Sequence, residues 1–113
     1  MASSEKYFLQ TISSGQQFSP GFFTGEDGIR GPMTMLVIAP TVAETCHIQV
    51  CGPLLNWVIL QSGDTDITLL SNRAKQVMVV NATGIRISAD SAVGADRIFE
   101  ILWNVTTIAG KYA

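Results

Sequence analysis

No stretch of ten residues in this chain carries the 3.6-residue apolar period of a helix. Short runs that alternate apolar and polar residues recur instead, rich in Val, Ile and Thr and separated by Gly, Pro, Asn and Asp. Side chains that alternate in this way lie on opposite faces of a strand, so each run can bury one face. The runs are residues 5–12, 33–39, 46–51, 54–61, 66–70, 76–81, 85–89 and 98–107. Eight short strands with turns between them predict an all-β fold, an antiparallel β-sandwich or small barrel. The nearest helical rival, residues 93–103, opens on Gly94 and is crowded with β-branched and aromatic side chains. One helical turn capped by Asp90 or Ser91 is expected at most.

Several facings follow from the alternation. Ile85 and Ile87 point inward. Phe99, Ile101, Trp103 and Val105 share one face, with Ile98, Glu100 and Leu102 on the other. Tyr7 and Leu9 share a face of the first strand. Residues 54–61, LLNWVILQ, are apolar on both faces, which places that strand centrally or at an interface.

The first two strands are separated by SSGQQFSPGFFTGEDGIRGP, residues 13–32, with five glycines and two prolines. Such a segment is neither helix nor central strand, and it is too long for an ordinary connection. The chain therefore divides into an N-terminal strand and irregular arm, residues 1–32, and a sandwich core, residues 33–113, within one domain. Tyr7, Phe18, Phe22 and Phe23 are the candidate partner contacts of this part. The loop aromatics have two readings, a lid on the protein's own core or anchors on a neighbour.

The densest chemistry is TCHIQVC, residues 45–51. On a strand, Cys46 and Cys51 point to opposite faces with Cα atoms about 16 Å apart, too far for a disulfide or a shared zinc. His47 and Cys51 share a face but stand about 13 Å apart. The segment predicts two free thiols, with Cys46, Ile48 and Val50 toward the core and His47 and Gln49 outward. His47 is the only histidine, so a Ser or Cys nucleophile lacks a base elsewhere. No G-x-S-x-G elbow, P-loop or dinucleotide fingerprint occurs. TGEDGIRGP resembles a phosphate loop only superficially, since Glu26 and Asp27 would repel phosphate. Asp64 and Asp66 at a turn offer at most a weak calcium site. Asn81-Ala-Thr83 and Asn104-Val-Thr106 match the glycosylation pattern by chance. Trp57 and Trp103 sit in apolar runs and read as core residues before they read as a ligand face. No cofactor and no metal are expected, and the chain is read as non-enzymatic.

Charge limits the partners. The seven basic residues are scattered, and the net charge is −2, which argues against nucleic acid. No apolar run approaches the length of a membrane helix. MASSEKYFLQ lacks the apolar core of a signal peptide, so synthesis in the cytoplasm is expected. Charged residues make up only 14% of the chain, against roughly 25% in an average domain. A small domain with so little charge is expected to turn part of its surface away from water.

The Ser/Thr/Gly/Val-rich strands, the scarcity of lysine and the SGQQFSPGFFTGEDGIRGP arm resemble, in kind, small structural proteins of tailed-phage particles. Decoration or cementing proteins that cap capsid junctions are examples. The likeness carries no individual family residue across. It implies a homo-oligomer, often a trimer, incorporated into a virion and bound to coat subunits through its arm. The alternative is a small ligand- or carbohydrate-binding β-sandwich, which would display Trp57 or Trp103 in a concave pocket.

Overall fold

The computed structural model describes residues 4–23, 33–79 and 82–105. The acidic turns at Glu26 and Asp27, and Asn81 and Thr106 of the two acceptor patterns, lie outside the described residues.

Eleven strands and no helix are formed among these residues: β1 Ser4–Ile12, β2 Phe22–Phe23, β3 Met33–Ile38, β4 Cys46–Cys51, β5 Trp57–Ile59, β6 Gln61–Ser62, β7 Thr65–Asp66, β8 Thr68–Leu69, β9 Ala74–Val79, β10 Gly84–Ala89 and β11 Arg97–Val105. One sheet has the order β1-β11-β3-β9. The other has the order β2-β10-β4-β5, with β8 also paired to β4. Every pairing is antiparallel. β5 and β8 lie along the same side of β4, against Gln49–Cys51 and Cys46–His47 respectively. They are two halves of one edge strand, interrupted by the β6–β7 hairpin. Counted so, eight strands are divided between two four-stranded sheets in the order of a jelly roll, an all-β sandwich.

The alternation of the sequence fills the space between the sheets. Ile12, Met35, Val37, Phe99, Ile101 and Trp103 come from one sheet, and Cys46, Ile48, Ile85, Ile87, Leu69 and Phe22 from the other; all are buried. Phe22 stacks on Phe8 with ring centroids 4.6 Å apart and meets Trp103 edge-on at 5.2 Å. These aromatic pairings bury large apolar area in favourable ring geometry. Val50 is half-buried against the same core.

The segment expected to be an arm is, through residue 23, part of this sandwich. β1 pairs with β11 along its whole length, from Ser4↔Val105 to Ile12↔Arg97. Residues 17–19 then run beside β10. The Ala89 amide donates to the Gln17 carbonyl at 2.8 Å, the Ser19 amide to the Ile87 carbonyl, and the Ile87 amide to the Ser19 hydroxyl, both at 2.9 Å. Irregular backbone survives here because its polar groups find partners along a sheet edge.

Two local expectations are corrected. Residues 90–97 form no helical turn. The Val93 amide donates to the Gln16 carbonyl at 2.9 Å and its own carbonyl accepts from Gly15, so Val93 plugs the end of the core and those backbone groups are committed across the chain. The run 54–61 is not a central strand. Gly52 and Leu55 close a turn (Leu55 N to Gly52 O, 3.0 Å) with Leu55 in the left-handed region at φ 62°. Only Trp57–Ile59 remains extended, at the sheet edge. Leu54, Leu55 and Val58 are exposed.

Candidate assembly surfaces

The Cys-His stretch occupies β4, and its two thiols are free on opposite faces. Cys46 faces the core, where burial pushes its thiol up to about 11, so it is protonated and unreactive at neutral pH. Cys51 lies on the outer face beneath aromatic cover. A Cβ on Gly84 would come within 2.8 Å of the Cys51 sulfur and 2.9 Å of the Trp57 ring, so only glycine lets these groups close over β10.

His47 is buried, contrary to the outward, solvated position expected of it. Alternation does put it on the outer face of its sheet, but residue 67 and Asp90 cover that place. Its Nδ1 lies 3.0 Å from the Ile67 carbonyl, which only accepts, so Nδ1 carries a proton. Its Nε2 stands 3.4 Å from Asp90 Oδ1. The imidazole thus ties β4 to the return of the hairpin and to the loop after β10. His47→Ala would leave the Ile67 carbonyl without this donor and should cost about 1–3 kcal/mol of folding stability. An ordinary surface site changes stability within about 0.5 kcal/mol, and chemical denaturation of the variant separates the two cases.

At the same end of the sandwich Glu44 grips Arg97. Arg97 Nε and Nη2 donate to the carboxylate at 3.1 and 3.2 Å, and Nη1 donates to the Thr41 carbonyl at 3.2 Å. The Gly94 amide also donates to Glu44 at 3.2 Å. The guanidinium holds the Glu44 carboxyl below its usual range of about 4.5. A depressed carboxyl contributes stability that is present above its unfolded value and lost as pH falls through the folded one. Thermal melts should therefore show an acid-labile contribution below pH 4.5 that is missing from Glu44→Gln.

The outer face of the first sheet carries a group of exposed apolar side chains. Register puts Tyr7, Leu102 and Leu36 in one row, Leu9, Glu100 and Ile38 in the next, and Thr11 beside Ile98 in the third. Tyr7, Leu9, Ile98 and Leu102 are 56, 54, 49 and 41% exposed. Among the described side chains of these rows the one charge is Glu100, which accepts a hydrogen bond from the Tyr7 hydroxyl at 2.9 Å. That bond is the main reason the Tyr7 phenol is raised above 10.

The outer face of the second sheet differs in chemistry. The Arg86 guanidinium lies over the Phe18 ring at 4.0 Å and over the Trp57 ring at 4.5 Å. Its Nε donates to Gln49 Oε1 at 2.7 Å. Phe23 packs against Trp57 at 6.2 Å.

The four candidate contact residues are not brought together. Tyr7 is on one outer face, Phe18 (exposed) and Phe23 (half-buried) are on the other, and Phe22 lies in the core between them. Trp103 is wholly internal, its Nε1 without a hydrogen-bond partner among the described residues, and Trp57 has Arg86 over its ring and Phe23 tilted against it. Neither indole stands free as a sugar platform. Arg86 and the exposed Leu54 turn were not picked out from the sequence. Ile98 and Leu102 were placed on the face away from the core but given no role.

No protein-family model matches the sequence, and no curated protein matches it. Solved structures of similar fold include two from different settings. One belongs to Bacillus endospore appendages, described as a novel family of disulfide-linked pili, with a TM-score of 0.59 and 7% identity over 95% of this chain and 90% of that one. The other is the SPBc2 prophage-derived protein YomS, with a TM-score of 0.62 and 10% identity over 92% of this chain and 96% of that one. At these identities the likeness is one of fold.

Proposed function

We propose that this chain is a non-enzymatic structural subunit that binds copies of itself and takes its place in a larger protein assembly. The observation that carries the reading is the apolar outer face of the β1-β11-β3-β9 sheet. In a jelly roll both sheets turn one face to solvent, and that face is ordinarily polar. Here it presents Tyr7, Leu9, Ile98 and Leu102 together. Strands of six to nine residues at a spacing of about 4.8 Å give a face of about 400–600 Å² in projection. Side-chain relief enlarges that area toward the roughly 800 Å² per partner of a standard interface. Apolar side chains grouped on a face of this size mark a contact site.

Two further considerations support the reading. One fold neighbour belongs to an appendage pilus and the other is prophage-derived. Two side chains of the Cys-His stretch are also committed elsewhere: His47 is bonded into the fold, and the Cys46 thiol is buried and protonated. Within this reading the finer assignment is a phage-particle component of the decoration or cementing kind. It would be made in the cytoplasm and added to the particle as an oligomer, with a trimer as the simplest closed form. Both cysteines are buried, so contacts between copies would be non-covalent, unlike the linkage described for the appendage pili.

The test is the native mass of the purified chain from micromolar to millimolar concentration, by sedimentation and native mass spectrometry. The reading expects defined oligomers that grow in population with concentration. A chain that stays monomeric throughout and does not co-purify with any particle would sink it.

A further inference from the structure

Charge in this protein is sparse, and nearly all the acids that the structure describes are in use. Glu44 holds Arg97, Asp66 accepts from Gln61 Nε2 at 2.8 Å, Asp90 faces His47, Asp96 accepts from the Ser14 amide, and Glu100 accepts from Tyr7. Asp64 alone among the acidic side chains described has no partner among the described residues. It sits at the tip of the β6–β7 hairpin, next to Gly63, whose φ of 62° makes the tight turn. All six residues of that hairpin are exposed. The hairpin is an excursion from the edge strand formed by β5 and β8, and it presents its acid well clear of the sandwich.

Arg86 is the complementary case. A surface arginine is ordinarily mobile, and fixing it for a salt bridge costs side-chain entropy that cancels much of the Coulomb gain. Here the guanidinium is already fixed by two aromatic rings and by the bond from Nε to Gln49. Gly21 helps to hold this geometry, since a Cβ there would come within 3.1 Å of the Arg86 Cβ. With Nε used, the two Nη groups remain as a planar fork without an acidic partner among the described residues. That fork matches a carboxylate in bidentate geometry, and the apolar rings beside it lower the local dielectric and strengthen such a pair. Arg73 and Lys75 are also exposed, but their side chains make no hydrogen bond or ion pair among the described residues.

We propose that Arg86 is a receptor for a carboxylate from a neighbouring copy of this chain, and that Asp64 at the tip of the projecting hairpin supplies it. The inference rests on the self-assembly reading and specifies one of its contacts. Donor and receptor are different patches of one surface, so the contact is heterologous and repeats from copy to copy, closing into a ring or running on as a chain.

The experiment uses the full chain and measures association by sedimentation. Asp64→Asn alters an exposed, unpartnered side chain and should leave thermal stability unchanged while weakening association at least about tenfold, the scale of one charge-assisted bidentate pair. Arg86→Lys keeps the charge but loses the fork, and should weaken association similarly. Mixing the two variants restores one intact pairing, the Arg86 of the Asp64→Asn copy with the Asp64 of the Arg86→Lys copy. The mixture should therefore recover heterodimers but not longer assemblies. If Asp64→Asn associates like the wild type, or the mixture recovers nothing, the inference is overturned while the assembly reading stands. If the wild type itself never associates, the assembly reading has failed, and this contact with it.

Discussion

Phe22→Ala is expected to cost about 3–5 kcal/mol of folding stability, a large share of the roughly 5–15 kcal/mol that a domain of this size has. The reason is position. Phe22 is buried in the two-residue strand β2, stacked on Phe8 and edge-on to Trp103, so truncation opens a cavity where both sheets meet. Its neighbour Phe23 is half-buried on the outer face against Trp57, and Phe23→Ala should cost about 1 kcal/mol. Urea denaturation of the two single variants decides between the two readings of the loop aromatics. A Phe22→Ala protein that folds as firmly as the wild type but no longer associates would make Phe22 a partner anchor and not a core residue.

The second large effect is expected on association. Leu9→Lys combined with Leu102→Lys should weaken self-association at least about 100-fold, because each ammonium would have to be stripped of water in the contact and only the one at position 9 has a carboxylate opposite it. Folding stability should change within about 0.5 kcal/mol, since both side chains are exposed. Leu9 stands directly opposite Glu100 in the register, so a lysine there also gains a cross-strand partner within its own chain. Sedimentation of the double variant beside a thermal melt separates the two quantities. Unchanged association would remove the β1-β11 face from the interface.

Much of the fold was legible in the sequence because turn residues and alternation agreed with each other. β4 runs from Cys46 to Cys51 as read, since Pro40 and Gly52-Pro53 bracket a run without Gly or Pro. Ile85, Ile87, Phe99, Ile101 and Trp103 are buried as their spacing required. The failures share one cause. Alternation assigns a side chain to a face of a sheet but says nothing about what lies over that face. His47 was assigned to an outer face correctly and to solvent wrongly, because Asp90 and the backbone at Ile67 cover it. LLNWVIL, apolar on both faces, reads as central or at an interface; the central alternative fails because the Gly52–Leu55 turn takes up its first half and leaves Leu54 86% exposed. The surfaces were legible only in part. Tyr7, Leu9, Ile98 and Leu102 could be paired by face within each strand, but their merging into one surface depends on β1 lying beside β11, a pairing of the two most distant strands. Arg86 and Asp64 gave no local signal, since their distinction lies in which partners they have and lack.

That distant pairing also governs how the protein comes into being. β11 lies between β1 and β3, so the first sheet cannot close until residues 97–105 have left the ribosome. Until then Phe8 and Phe22 lack the Trp103 ring that closes over them, and β3 lacks its neighbour on one edge. Topologies dominated by such non-local contacts fold in milliseconds to seconds, orders of magnitude more slowly than helical bundles. The nascent chain must therefore hold back its apolar strands at least until residues 97–105 have emerged. The face that β1 and β11 build together does not exist before then, so a subunit still lacking β11 has no such face to offer and cannot be recruited through it.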